Sequence, residues 1–138
     1  MDSCIFCRIA QKRVPANLVC EDEKAMAFLD IRPLSEGHTL IIPKSHYETI
    51  FEIPQELIMH IQGVTKRVAL AVKKATQADG ISIMQQNGKA AGQEILHLHV
   101  HVIPRCENQK LPKFSETSEA SKEKLSQTAA KIRRHLAT

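Results

Sequence analysis

The sequence predicts an α+β domain built on an antiparallel sheet, and three observations point there. Several short apolar runs are bounded by Pro, Gly or charged turns, as strands are. Residues 54–78 form one long stretch with apolar side chains at three- and four-residue steps, the period of a helix buried on one side. A parallel sheet would need a crossover helix for each pair of strands, and the sequence offers too few.

Taken in order, Val14-Pro15 punctuates the first segment, and residues 18–21 and 25–29 read as a hairpin joined by the charged turn Asp22, Glu23, Lys24. Gly37 opens a third strand at residues 38–42, which Pro43 closes. In the long helix Leu57, Ile58, Ile61, Val64, Val68, Ala71, Val72 and Ala75 share one face. Pro54 suits its first turn and Asp79-Gly80 its stop. A strand at residues 81–85 leads into the flexible Asn87-Gly88 and Ala91-Gly92, then a fifth strand runs over residues 95–103 to Pro104. A polar connection follows, residues 107–119. The chain ends in an amphipathic helix carrying Leu125, Ala129, Ile132 and Leu136.

The chain has 138 residues, 43% of them hydrophobic and 25% charged, which suits one domain. Its net charge of +4 invites nucleic-acid binding, but the location of the charge argues otherwise. Residues 1–104 hold 11 basic and 11 acidic side chains, whereas residues 105–138 hold 8 and 4. The excess is confined to the tail, and with 4% aromatics and no tryptophan there is little to stack on bases. No apolar run approaches the roughly 20 residues of a membrane span. The N-terminus carries no secretory signal pattern, so a reducing, cytoplasmic setting is expected for the four cysteines. There the Cys4–Cys7 pair, a C-x-x-C spacing, reads as half of a metal site or as a redox pair.

The strongest chemical signal is Leu96-His97-Leu98-His99-Val100-His101-Val102. Strict alternation in a strand puts the four aliphatic side chains on one face and the three imidazoles on the other. Three readings stay open: polar filling of a half-exposed strand, a tri-histidine metal site, or a division in which one histidine joins the cysteines at a metal and the others face a substrate. Gly88 and Gly92 let the backbone approach a ligand, and Gln93 adds an amide able to donate to an anionic oxygen. That setting suits a phosphate and favours the third reading.

The alternating histidines do not stand alone. Cys4-Ile5-Phe6-Cys7, Glu21-Asp22, Ala27-Phe28-Leu29-Asp30-Ile31 with Pro33, Gly37 through Lys44 with His46, Ala91-Gly92-Gln93 and Ile103-Pro104-Arg105 appear in this order. In this set the sequence resembles the histidine triad (HIT) family, and within it the zinc-containing Hint-like nucleotide hydrolases. The resemblance covers residues 2–105 and implies a HIT domain over residues 1–106, with residues 107–138 as an appended connection and helix. The implied fold has an antiparallel sheet of about five strands, one long helix, a short N-terminal helix and a C-terminal helix.

The same resemblance implies a homodimer, and attack by His99 on the α-phosphorus of a purine nucleotide. A covalent nucleotidyl-histidine forms, and water then releases the nucleoside monophosphate. His101 would support the phosphate oxygens and leaving group, His38 would complete the histidine network, and Gln93 with backbone near Gly92 would stabilise developing charge. Ile5, Phe6, Val14, Phe28, Ile31 and Leu40 would wall the nucleotide pocket, with Asp30 accepting from the ribose hydroxyls. Cys4, Cys7, His46 and His97 would hold a structural zinc ion, while Cys20 and Cys106 match no ligand.

Two positions depart from the pattern. Gln86 stands where phosphoramidase-type members usually carry asparagine, a choice also seen in Fhit-type dinucleoside polyphosphate hydrolases. Glu94 stands where Ser or Thr is common and adds negative charge near the leaving group. The expected substrates are nucleoside phosphoramidates or adenylylated amines. The alternatives are dinucleoside polyphosphates or, in a different class, a zinc-stabilised nucleotide-binding or interaction module with little turnover.

Overall fold

The computed structural model describes residues 3–136. The chain runs α1 (Ile5–Ala10), β1 (Leu18–Glu21), β2 (Ala25–Leu29), β3 (Thr39–Pro43), α2 (Gln55–Thr76), β4 (Gly80–Gln85), β5 (Val100–Arg105) and α3 (Lys122–Leu136). Short 3-10 turns occur at Lys89–Ala91 and Phe114–Glu116. All five strands join one antiparallel sheet in the order β1-β2-β3-β5-β4, so β4 is an edge. The α+β expectation holds, with three helices around the sheet.

Strands β2 and β3 are buried throughout because both faces of the sheet are covered. On one face Ala25, Ala27, Leu29, Ile41, Val100 and Val102 pack under α2 and α3 through Ile61, Val68, Val72, Ala129 and Ile132. On the other, the intervening Met26, Phe28, Leu40 and Ile42 meet Phe6 and Ile9 of α1. The period-two alternation of each strand thus feeds two separate cores. The hairpin turn is fixed by Asp22, whose Oδ1 accepts the Lys24 and Ala25 amides at 2.8 Å each. Gly37, at φ +100°, lets the chain turn where a Cβ would lie 2.7 Å from Thr76 Cγ2.

Three boundaries differ from expectation. The fifth strand begins at Val100 rather than residue 95, because its pairing with both neighbours stops there, at Ile41 of β3 and Gln85 of β4. Pro43 ends β3 and has no N–H to give, Gln85 ends β4, and the Leu98 amide instead donates to Tyr47 O at 2.7 Å. Leu98 in this unpaired segment is wholly buried, as are Val100 and Val102, while His97 and His99 pack against Phe6 on the α1 side. The third strand starts at Thr39 rather than His38. Helix α2 ends at Gln77 in the left-handed conformation (φ +57°), leaving Gly80 to open β4. Among the described residues no helix is long and apolar enough to cross a membrane.

Candidate functional site

His99 stands immediately before β5 and His101 within it, opposite Leu40 of β3 and Met84 of β4. Both line a cavity of about 440 Å³ on the α1 face of the sheet. Hydrogen bonding fixes which nitrogen of each ring carries the proton. His99 Nδ1 lies 2.7 Å from the carbonyl oxygen of His97, which can only accept, so Nδ1 is protonated and Nε2 keeps its lone pair. Phe6 holds the ring from the side, with centroids 5.1 Å apart.

A second chain of bonds fixes His101. The Leu34 amide donates to His38 Nδ1 at 3.1 Å, which places the His38 proton on Nε2. His38 Nε2 then donates to His101 Nδ1 at 2.9 Å, leaving His101 with its own proton on Nε2. One ring of the cavity therefore offers a lone pair and the next offers a donor.

Burial keeps these rings neutral. It pushes His38 down to about 4, with the His99 charge adding to the effect, and His101 down to about 3, helped by His99 and His38. His99 is also lowered by burial, opposed by its bond to the His97 carbonyl. Asp30 moves the other way. Burial raises its carboxyl, against the Arg32 amide that donates to Oδ1 at 2.9 Å and the Arg32 charge, while Oδ2 stands 3.7 Å from His38 Nε2.

Ile5, Phe6, Val14, Phe28, Ile31 and Leu40 line the same cavity, as do Asp30, Gln86, Gly92 and Glu94. Gly92 sits at φ +95°, a conformation that strains any residue with a Cβ, and a Cβ there would also push aside the Gln86 amide, whose nitrogen is 2.5 Å away. Glu94 is exposed, with neither an ion pair nor a hydrogen bond among the described residues. Two expected residues stand outside the lining. His38 lies behind His101, and Gln93 has its amide fully engaged. Gln93 Oε1 accepts the Gly88 amide at 2.7 Å, and Nε2 donates to Glu48 O at 2.7 Å and Ile95 O at 3.0 Å. The amide ties the Gly88 turn to the loop before α2 rather than facing a ligand.

Sequence reasoning missed Phe114 and Thr117, which also line the cavity. They belong to the stretch read as a polar connection, where the only signal was one aromatic among polar residues. Arg32 Nη1 donates to Thr117 O at 3.3 Å and the Ala120 amide to Ile31 O at 2.9 Å, drawing that stretch against the site.

Cys4, Cys7, His46 and His97 form a separate cluster whose ligand atoms all lie within 4.8 Å of one another. His97 Nε2 donates to Pro43 O at 2.8 Å, so its Nδ1 lone pair faces Cys4 Sγ at 3.4 Å and Cys7 Sγ at 3.6 Å. His46 Nδ1 is 3.3 Å from Cys7 Sγ. Tetrahedral zinc with ordinary Zn–S and Zn–N bonds sets its ligand atoms roughly 3.3–3.8 Å apart, so the donor set and its spacing fit that ion. All four cysteines are free thiols.

Residues 11–108 match the family model for the HIT domain. The chain belongs to the HIT family. It is 49% identical over 115 residues to a HIT-like protein of Methanocaldococcus jannaschii, covering 82% of this chain and 88% of that one. It is 38% identical over 139 residues to the adenylylsulfatase HINT3 of Arabidopsis thaliana (98% and 70% covered). With the adenosine 5'-monophosphoramidase HNT1 of Saccharomyces cerevisiae it shares 42% over 103 residues (75% and 63% covered). Among solved HIT structures, a HIT-like protein of Bartonella henselae superposes with a TM-score of 0.90 at 37% identity, each chain 98% covered. A Zn-bound histidine triad protein of Mycobacterium smegmatis gives 0.88 at 36%, with 99% of this chain and 94% of that one covered.

Proposed function

We propose that this HIT protein is a nucleotide hydrolase acting on purine nucleoside phosphoramidates or adenylylated amines. The observation that carries the reading is the bond from His99 Nδ1 to the His97 carbonyl, which leaves Nε2 a free lone pair on the wall of the cavity. In this reading Nε2 attacks the α-phosphorus and forms a P–N bond to the protein. The bond to the leaving nitrogen breaks, and the amine departs with a proton taken from water. A water molecule then attacks the same phosphorus, the bond to His99 breaks, and the nucleoside monophosphate leaves.

His101, kept neutral with its proton on Nε2, donates to a phosphoryl oxygen as charge builds there. His38 acts through His101, whose tautomer it sets. Asp30 takes the ribose hydroxyls, and Phe6, Phe28, Val14 and Leu40 take the base. Gln93 contributes by holding the Gly88–Gly92 turn. The relatives that hydrolyse an adenosine phosphoramidate and an adenylyl sulfate support the assignment.

Cys4, Cys7, His46 and His97 would hold zinc in a closed structural site that braces the segment carrying His99. The four free cysteines suit a reducing, cytoplasmic setting. The reading includes a homodimer, formed where Met59, Leu70 and Ile83 stand exposed beside the free edge of β4.

Gln86 on the cavity wall favours a second reading, a dinucleoside polyphosphate hydrolase. Turnover of an adenosine phosphoramidate and of a diadenosine polyphosphate by the same preparation separates the two. A larger kcat/KM for the phosphoramidate is expected, and the reverse order would overturn the first reading. Turnover of neither would favour a binding module.

A further inference from the structure

Phe114 lies beyond the residues that match the HIT domain, yet it forms part of the cavity. Its ring centroid is 5.4 Å from that of His101 and 6.4 Å from that of His38. His38 Nε2 in turn is 3.7 Å from Asp30 Oδ2. The ring therefore lies beside His101 and His38, in the cavity that Asp30 also lines. The backbone that presents it is fixed on both sides. Lys113 N donates to Glu116 Oε1 at 2.8 Å and Thr117 Oγ1 to Phe114 O at 2.9 Å, which close the turn. Arg32 Nη1 and the Ala120 amide hold the strap against the loop after β2. Despite this fixation Phe114 remains 42% exposed. A large apolar ring held rigidly at a cavity and only partly covered gains most from a ligand that completes its burial.

We propose that Phe114 is a substrate-contacting residue that packs against the ribose-5'-phosphate part of the bound nucleotide. The proposal rests on the nucleotide reading above: Asp30 takes the ribose and His101 the phosphoryl oxygen, so a ring beside His101 in the cavity that both line meets the portion between them. This portion is common to every nucleotide substrate whatever leaves from phosphorus. Phe114 thereby strengthens nucleotide binding without choosing the leaving group.

The chain contains no tryptophan, so Phe114→Trp places a single indole at the proposed contact. Titrating this variant with AMP should quench or shift its emission, with a midpoint matching AMP binding measured by calorimetry. Phe114→Ala should weaken AMP binding roughly 3- to 10-fold. It should also lower kcat/KM by a similar factor for a phosphoramidate and for a diadenosine polyphosphate. A ring that only props the fold would change the melting temperature and leave the AMP affinity of the folded variant unaltered. Unchanged indole emission at AMP saturation, or unchanged AMP affinity in Phe114→Ala, would overturn the proposal while leaving the nucleotide reading intact. If the unaltered protein binds no AMP, both fall together.

Discussion

His38 Nε2 stands 2.9 Å from His101 Nδ1, and this contact transmits a proton placement decided by the backbone at Leu34. An amide that can only donate sets the tautomer of His38, which sets that of His101. Removing the final donor with His101→Phe should lower kcat roughly 10²- to 10³-fold with a smaller change in KM, as steady-state kinetics would show. His38→Phe should lower kcat by less, because the His101 ring remains but its proton is no longer held on Nε2. Equal KM effects and an unchanged kcat in both variants would remove the donor role.

The same pair makes stability depend on pH. In the unfolded chain both rings titrate near 6.5, whereas burial pushes His38 to about 4 and His101 to about 3 when folded. Below about pH 6.5 the unfolded chain therefore binds protons that the folded chain refuses, and stability falls as pH drops toward the folded values. Above that pH the two rings contribute no slope. Each can add at most about 1.4 kcal/mol per pH unit. Urea unfolding at about pH 7.5 and about pH 5 should show a larger loss for the unaltered protein than for the His38→Gln, His101→Gln double variant. A loss as large in the double variant would contradict the argument.

Zinc should be structural in effect. Cys7→Ser is expected to lose the metal, seen by elemental analysis, and to lower Tm by about 5 °C or more. Chelation of the unaltered protein should act in the same direction. Because His97 both joins this cluster and gives its carbonyl to His99, activity should fall without metal but not vanish. Complete loss of turnover in protein that stays folded would point to a direct role for the ion.

Glu94, an unpaired carboxylate on the cavity wall, should bear on the leaving group through its charge. It disfavours an anionic polyphosphate and tolerates or attracts an amine. Glu94→Ser should raise kcat/KM for a diadenosine polyphosphate relative to an amine phosphoramidate, by roughly 3- to 10-fold at low salt and less at high salt. An unaltered ratio would show that the charge does not reach the leaving group.

Most of the sheet was legible because its alternation is enforced by burial. Residues 18–21 and 25–29 became β1 and β2 as read, with each face of β2 and β3 packed into a different core. The His97–Cys4–Cys7–His46 cluster was legible through the resemblance, and its ligand atoms do converge. The start of β5 was not, since alternation continues through residues that no neighbouring strand pairs, and the last pairings, at Ile41 and Gln85, decide it. The hydrogen bonding of Gln93 was not legible for a related reason. An amide beside two glycines looks free to meet an anion, but three backbone groups more than one loop apart already satisfy it. Phe114 escaped notice because its role depends on the strap folding back to Ile31 and Arg32, which no local pattern encodes.

The central claim is that His99 attacks phosphorus, and intact-mass analysis of the protein after rapid mixing with an adenosine phosphoramidate tests it most directly. The account expects a transient adduct of one adenylyl group, located on His99 by fragmentation, accumulating in a variant slowed at the second step and absent in His99→Ala, whose turnover drops by roughly 10⁴-fold or more. Undiminished turnover in folded His99→Ala, or an adduct carried by another residue, would contradict it.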